Sequence, residues 1–466
     1  LTALEQAAAV ARGEVSPVEL TEHYLTRVDR LDDQVGAFAT VTADLALAQA
    51  RALEQEVRRG GARSPLHGVP VPVKDLNNTA GVRTTFGSRV YAGHVPDVDD
   101  HVVTLLRQAG TVLLGKTSAP EFGLPCYTES RVGPPARTPW DLDRMAGGSS
   151  GGAAAAVAAG LAPVAQGSDG GGSVRIPASC CGLVGVKPSR GRVSLGPLAG
   201  DVSGLPANGV LARTVRDAAA LLDVMAVPMP GDPHWAPPLP PGETFLGRAG
   251  RTPGRLRVGR FATPVIAETE VHPACLHAYD EASRLLDALG HRVEDVEPPF
   301  APDVVPVFEL VWAVLSTLTP VPPGREDELM PLTRHLRERG AAAGAAAFAR
   351  AMAEMQLVAR RAVTRLADYD VLLSPTLAEP PRPVGGIRDD ADPARDFAEQ
   401  KRFTPFTAAY NVTGQPAVSL PLHHTPEGLP VGVMLAGRPA GEATLLALAA
   451  QVEDASPWRD RRPPCW

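Results

Sequence analysis

Three side chains, Lys74, Ser149 and Ser173, stand in surroundings that suit acyl transfer. Ser149 lies in Gly147-Gly148-Ser149-Ser150-Gly151-Gly152, which runs into the Ala-rich stretch from Ala153 to Ala159. A glycine-serine turn feeding a helix places hydroxyls and free backbone N–H groups at the helix N-terminus. Such a turn serves as a helix cap, a phosphate loop or a catalytic turn, and the Gly-Lys-Ser/Thr of a phosphate loop is missing. Ser173 closes the run Gly167-Ser168-Asp169-Gly170-Gly171-Gly172-Ser173. Three glycines in a row let several N–H groups point at one spot, a nest suited to an oxyanion, with the serine where a nucleophile would stand. That nucleophile needs a base, and neither motif holds a histidine. The available base is Lys74, at the end of Val69-Pro70-Val71-Pro72-Val73. Apolar surroundings strip solvation from an ammonium and favour the neutral amine. Taken alone, this lysine reads as a solvated surface charge.

Composition narrows the partners. The 466 residues are 44% hydrophobic and 21% charged, ordinary globular values with enough apolar side chains for a large core. The net charge of −7 implies no basic face, so neither nucleic acid nor an anionic membrane is an expected partner. Five cysteines in a chain this long make no disulfide framework. Cys180 and Cys181 are adjacent, which suits neither a redox pair nor a zinc knuckle; the reading is reduced thiols and a cytoplasmic setting. No stretch matches a membrane-spanning helix, and the longest apolar run, Ala153 to Ala165, is broken by Gly160 and Pro163. The start of the chain lacks the charged-then-apolar pattern of a signal peptide. No metal-ligand cluster or nucleotide motif stands out, so neither metal nor cofactor is expected.

The elements that must position these residues point to an α/β class. Ala3 to Arg58 reads as helical, with Ser16-Pro17-Val18-Glu19 as a helix start and a second helix over Asp44 to Arg58. The prolines in the Lys74 segment rule out a normal central ladder. A helix is expected over His101 to Gln108, followed by a buried strand over Thr111 to Leu114. Further helices fall at Thr214 to Met225, Pro273 to Leu289, Ala341 to Leu366 and Ala443 to Val452. Strands fall at Leu256 to Gly259, Tyr369 to Ser374 and Val431 to Leu435. The Pro/Gly-rich passage from Pro228 to Gly254 reads as a surface connection within one domain rather than a linker between two.

Lys74 in its Val-Lys-Asp context, the Gly-Gly-Ser-Ser-Gly-Gly turn and Gly-Ser-Asp-Gly-Gly-Gly-Ser-Val-Arg-Ile-Pro together resemble the amidase-signature family. The separation of the two serines matches that family. The likeness continues in Gly115 to Gly123, Cys181 to Ser194, Asp370 to Thr376, Asn411 to Ala417 and Gly428 to Val433. It implies a large mixed β-sheet with helices on both faces. One domain would span 1–466, with a core over about 66–226 and a variable pocket region over about 228–366.

Carried over, Ser173 is similar to the family's nucleophile, Ser149 to its bridging serine after a cis peptide bond, and Lys74 to its base. Backbone N–H groups of Gly170, Gly171, Gly172 and Ser173 are the implied oxyanion donors. Ser150, Asp169 and Arg175 match positions that support the loop. The family usually has a larger residue at Gly170, which leaves open a looser loop or a larger pocket. Phe308 and Trp312 fall in the variable region as pocket candidates or ordinary core. Cys126, Tyr127 and Glu129, on the loop after Phe122, are candidate substrate contacts, and His67 reads as structural. The implied activity is hydrolysis of a small, lipophilic, aryl or oligomeric amide by a monomer or homodimer. The alternative is the glutaminase subunit of a tRNA-dependent amidotransferase.

Overall fold

Strands β1 (Phe38–Val41), β2 (Val73–Lys74) and β3 (Gly115–Thr117) form a small sheet in the order β1-β3-β2 in the computed structural model, which describes residues 1–300 and 302–466. The large sheet takes β4 (Val164–Asp169), β5 (Val184–Lys187), β6 (Ala207–Ala212), β7 (Arg257–Arg260), β8 (Arg292–Asp295), β9 (Val371–Pro375), β10 (Ala417–His424) and β11 (Pro430–Gly437). Their order is β4-β6-β5-β10-β11-β9-β7-β8. Pairing is antiparallel from β4 across to β9, and parallel between β9, β7 and β8, so the sheet is mixed.

Successive strand residues point to opposite faces, and both faces here are apolar. Val371, Leu373, Val433 and Leu435 enter one core, while Leu372, Met434 and Ala436 enter another. Helices Val215–Met225, Pro273–Ala288 and Glu442–Ala455 cover the first face. The opposite face is covered by Gly151–Ala158 over β4 and β6, by Arg175–Cys181 over β5, β10 and β11, and by Val305–Ser316 and Ala345–Arg365, which share a core with Leu372, Met434 and Ala436. This is the layered α/β architecture that the resemblance implied.

Local signals place many elements well. Ser16 caps the helix Pro17–Val35 in a reciprocal box: its Oγ accepts the Glu19 N–H at 3.0 Å, and Glu19 accepts the Ser16 N–H at 2.7 Å. The helix His101–Gln108 forms where expected. Three expectations need correction. The stretch Ala3 to Arg58 contains β1, which pairs with β3. The strand foreseen at Thr111–Leu114 lies instead at Gly115–Thr117, where partners on β1 and β2 exist; of the earlier stretch only Val112 bridges, to Pro70. The helix foreseen over Ala341 to Leu366 forms as Ala345–Arg365, starting later because Gly344 takes an extended conformation, and a separate helix, Pro331–Ala341, precedes it.

Candidate active site

Lys74 ends β2, and the prolines before it leave only Val73 and Lys74 to pair, in parallel, with Lys116 and Thr117. Its backbone N–H donates to Gln166 Oε1 at 2.9 Å, and the Gln166 amide nitrogen is held by Asn77 and Asn208. The side chain is fully buried. Its Nζ lies 2.8 Å from Ser149 Oγ, 3.0 Å from Ser168 Oγ and 3.2 Å from the Ser168 carbonyl oxygen. Burial pushes the Lys74 ammonium down to about 7, against the opposing pull of the Asp169 carboxylate.

Ser149 follows a cis peptide bond from Gly148 and leads into the helix Gly151–Ala158. A Cβ on Gly148 would meet Tyr127 backbone atoms at 2.7 and 2.8 Å, so only glycine fits there. Ser150 ties the two serine motifs together: its N–H donates to the Ser173 carbonyl at 3.0 Å, and its Oγ–H donates to the Ser168 carbonyl at 3.0 Å.

Asp169 ends β4 and organises the glycine turn. Arg175 grips its carboxylate with two nitrogens, Nε at 2.9 Å and Nη2 at 2.8 Å, and both side chains are fully buried. Asn411 donates to the same carboxylate and also accepts from Arg175. Burial alone would raise this carboxyl; the Arg175 guanidinium, then Lys187 and Asn411, hold it well below the usual carboxylate range. Asp169 also accepts the N–H groups of Gly172 at 2.8 Å and Val174 at 3.1 Å.

That hydrogen bond corrects one expectation. Gly172 was among the four implied oxyanion donors, but its N–H is committed to Asp169, leaving Gly170, Gly171 and Ser173. Gly172 itself has φ +133°, and a Cβ would sit 2.3 Å from Thr407 Oγ1, so its role is to let the chain pass Thr407. Thr407 in turn donates to the Gly171 carbonyl at 2.7 Å.

Ser173 and Gly171 open onto a cleft whose walls are mostly apolar, including Leu124, Ile176, Phe308, Trp312 and Phe397. Phe308 and Trp312 stack with centroids 5.6 Å apart and planes at 17°. A Cβ on Gly170 would stand 3.2 Å from the Trp312 ring. The indole therefore takes the space that a larger residue would fill. Cys126 also lines the cleft, and burial pushes its thiol up.

Tyr127 does not line it. Its hydroxyl donates to Asp396 at 2.6 Å in the interior. Glu129 likewise faces inward and accepts the Gly385 N–H at 2.8 Å. His67 is buried, with Nδ1 accepting the Arg63 N–H and Nε2 facing the Leu53 carbonyl, away from the serines. Among the described residues one group of potential metal ligands converges, His277, Glu281 and His423, and none of them lines the cleft.

Ser168, with two oxygens on Lys74, and Thr407, on the Gly171 carbonyl, carry no local signal of these contacts. Gln166 and Asn411 act over similar sequence distances. Only chain crossings bring such residues to the site.

The amidase family profile matches residues 19–446. The chain belongs to the amidase family. It is an amidase-signature enzyme that cleaves amide C–N bonds. It is 36% identical to a 6-aminohexanoate-cyclic-dimer hydrolase of Paenarthrobacter ureafaciens over 99% of this chain and 96% of that one. It is 35% identical to an acylamidase of Rhodococcus erythropolis over 99% and 97%. A solved structure of a 6-aminohexanoate cyclic dimer hydrolase superposes with a TM-score of 0.91, at 34% identity, over 100% of this chain and 99% of that one. No helix among the described residues is long and apolar enough to cross a membrane.

The Gly170–Trp312 contact yields an expected result for this enzyme. Gly170→Ile should push the indole into the cleft and lower kcat/KM for bulky acyl groups by about tenfold or more, sparing acetyl amides. Adding Trp312→Ala should restore much of the loss. Equal losses for large and small acyl groups in the single variant, unrelieved in the double, would show that the contact does not shape the cleft.

Proposed function

We propose that Ser173 is the nucleophile, Ser149 the bridging proton carrier and Lys74 the base, acting on an amide with an aliphatic or aryl acyl group. The observation that carries this reading is the buried Lys74 Nζ, 2.8 Å from Ser149 Oγ, with Ser173 opening onto an apolar cleft. A neutral amine has two N–H groups and one lone pair. Ser168 supplies two acceptor oxygens, so the lone pair is left to face Ser149. Lys74 takes the Ser149 proton while Ser149 takes that of Ser173, and Ser173 Oγ adds to the carbonyl carbon. The N–H groups of Gly170, Gly171 and Ser173 receive the oxyanion. As the C–N bond breaks, the proton returns through Ser149 to the leaving nitrogen. Water, deprotonated along the same relay, then cleaves the ester and frees Ser173.

The apolar walls favour this substrate class over glutamine, whose charged α-groups need charged partners. Lys401, the cationic group in the wall, is occupied by Glu309. We further propose one catalytic domain, since the large sheet draws strands from residues 164 to 437, and a reducing compartment, since buried Cys180 and Cys181 are both free thiols.

Hydrolysis of an anilide series from acetyl to decanoyl and benzoyl, beside glutamine, tests the reading. Apolar acyl anilides should exceed glutamine in kcat/KM by about a hundredfold or more. Preference for glutamine would instead make the chain an amidotransferase subunit.

The same series should show a pH limb. Lys74 has a folded pKa lowered to about 7, so its active neutral form prevails above that value and is lost as pH falls through it. kcat/KM should rise between pH 6 and 8 with a midpoint near 7. Lys187, another buried lysine pushed to about 7 mainly by burial, bonds the Pro188 carbonyl; Lys187→Met should leave that midpoint in place. A flat profile down to pH 5.5 would remove Lys74 from the base role.

A further inference from the structure

Away from the cleft, three metal-ligand side chains meet across two elements of the fold. His277 and Glu281 are one helical turn apart on Pro273–Ala288, a spacing that puts both on one face. His423 comes from the end of β10, after the irregularity between Leu420 and His423 that changes its register against β11. Glu281 lies between the two imidazoles: Oε1 is 3.2 Å from His277 Nε2, and Oε2 is 3.0 Å from His423 Nδ1. The rings stand edge to face with centroids 4.9 Å apart. One donor atom from each residue lies within 4.8 Å of the other two.

We propose that His277, Glu281 and His423 form a surface site for a divalent transition ion of the zinc type. Two imidazole nitrogens and one carboxylate oxygen are a borderline-soft donor set that suits zinc, whereas calcium and magnesium favour oxygen alone. Donors about 2.1 Å from one ion in tetrahedral array stand about 3.4 Å apart, so side-chain shifts of about 1 Å bring all three into range. The side chains have the freedom for this, with 54% of His277, 44% of Glu281 and 21% of His423 exposed. Glu281 and His423 also border an open depression shared with Trp140, His424 and Arg461, which leaves water access to the remaining coordination positions. The cations bordering the depression are Arg461, whose guanidinium is turned to the Pro421 and Leu422 carbonyls and to His424 Nδ1, and Arg462, whose guanidinium lies over the Trp466 ring. A bound ion would clip the helix to β10, so its effect belongs to stability and not to the amide chemistry.

Titration of the untagged, metal-free full chain with cobalt(II) and zinc(II), followed by the cobalt visible spectrum and by zinc competition, tests the site. The expected result is one ion per chain at micromolar concentration, with cobalt bands of low-symmetry coordination. His277→Gln, Glu281→Gln and His423→Ala should each weaken binding tenfold or more and leave amide turnover unchanged. Zinc should raise the thermal midpoint of the wild type and not of these variants. No uptake at micromolar concentration, or uptake unchanged in all three variants, would overturn the proposal.

Discussion

Ser173→Ala should lower kcat/KM for amide hydrolysis by about 10⁴-fold or more while leaving the fold intact. The size of the effect follows from what the hydroxyl alone does. Its oxygen forms the bond to the acyl carbon in the proposed mechanism, and alanine offers no atom to replace it. The surrounding geometry does not depend on that atom. The Ser173 carbonyl is held by the Ser150 N–H at 3.0 Å, and Asp169 fixes Gly172 and Val174 on either side. Any remaining oxyanion donors therefore stay in place, and the variant should bind substrate with little change. Two measurements separate this from general damage: a fluorophosphonate should label the wild type and not the variant, and their unfolding midpoints should agree. Retention of more than about a tenth of the wild-type rate would place the nucleophile elsewhere.

Arg175→Leu should cost about 3–5 kcal/mol of stability, the penalty for leaving a buried charge without its partner. Arg175 and Asp169 are both fully buried, and the guanidinium also donates to the Thr407 carbonyl and Asn411. In the wild type the Asp169 pKa is depressed, so its stabilising contribution is present above the ordinary carboxylate range and lost only in strong acid. Without Arg175 the burial cost dominates and the carboxyl is pushed upward. The variant's deficit should therefore be smaller at pH 5 than at pH 8, since protonation relieves it. Urea unfolding at the two pH values measures both the loss and its sign. A deficit under about 1 kcal/mol, independent of pH, would mean that Asn411 and the two N–H groups suffice to hold the charge. Activity should fall as well, because Asp169 anchors the Gly172 N–H and with it the glycine turn.

The residues proposed for catalysis are named from the sequence through the joint resemblance of separated motifs to one family. Taken singly, a serine after glycines leaves a helix cap open and a lysine among valines and prolines leaves a surface charge open. Helix starts are legible locally: Ser16 and Glu19 satisfy each other three residues apart. What the tertiary structure alone decided are pairings between distant segments. Ser168 meets Lys74 only because β4 runs beside β2, and Gly172 loses its N–H to Asp169 only because Arg175 and Asn411 hold that carboxylate in place. Trp312 covers Gly170 from a helix in the least recognisable third of the chain, which turned an apparent gap into a packed wall. Tyr127, a reasonable pocket residue by position, turns inward, where its hydroxyl meets Asp396 from a distant helix. Local sequence carries propensity and solvation, whereas the use of each hydrogen-bonding group depends on which distant neighbour reaches it first.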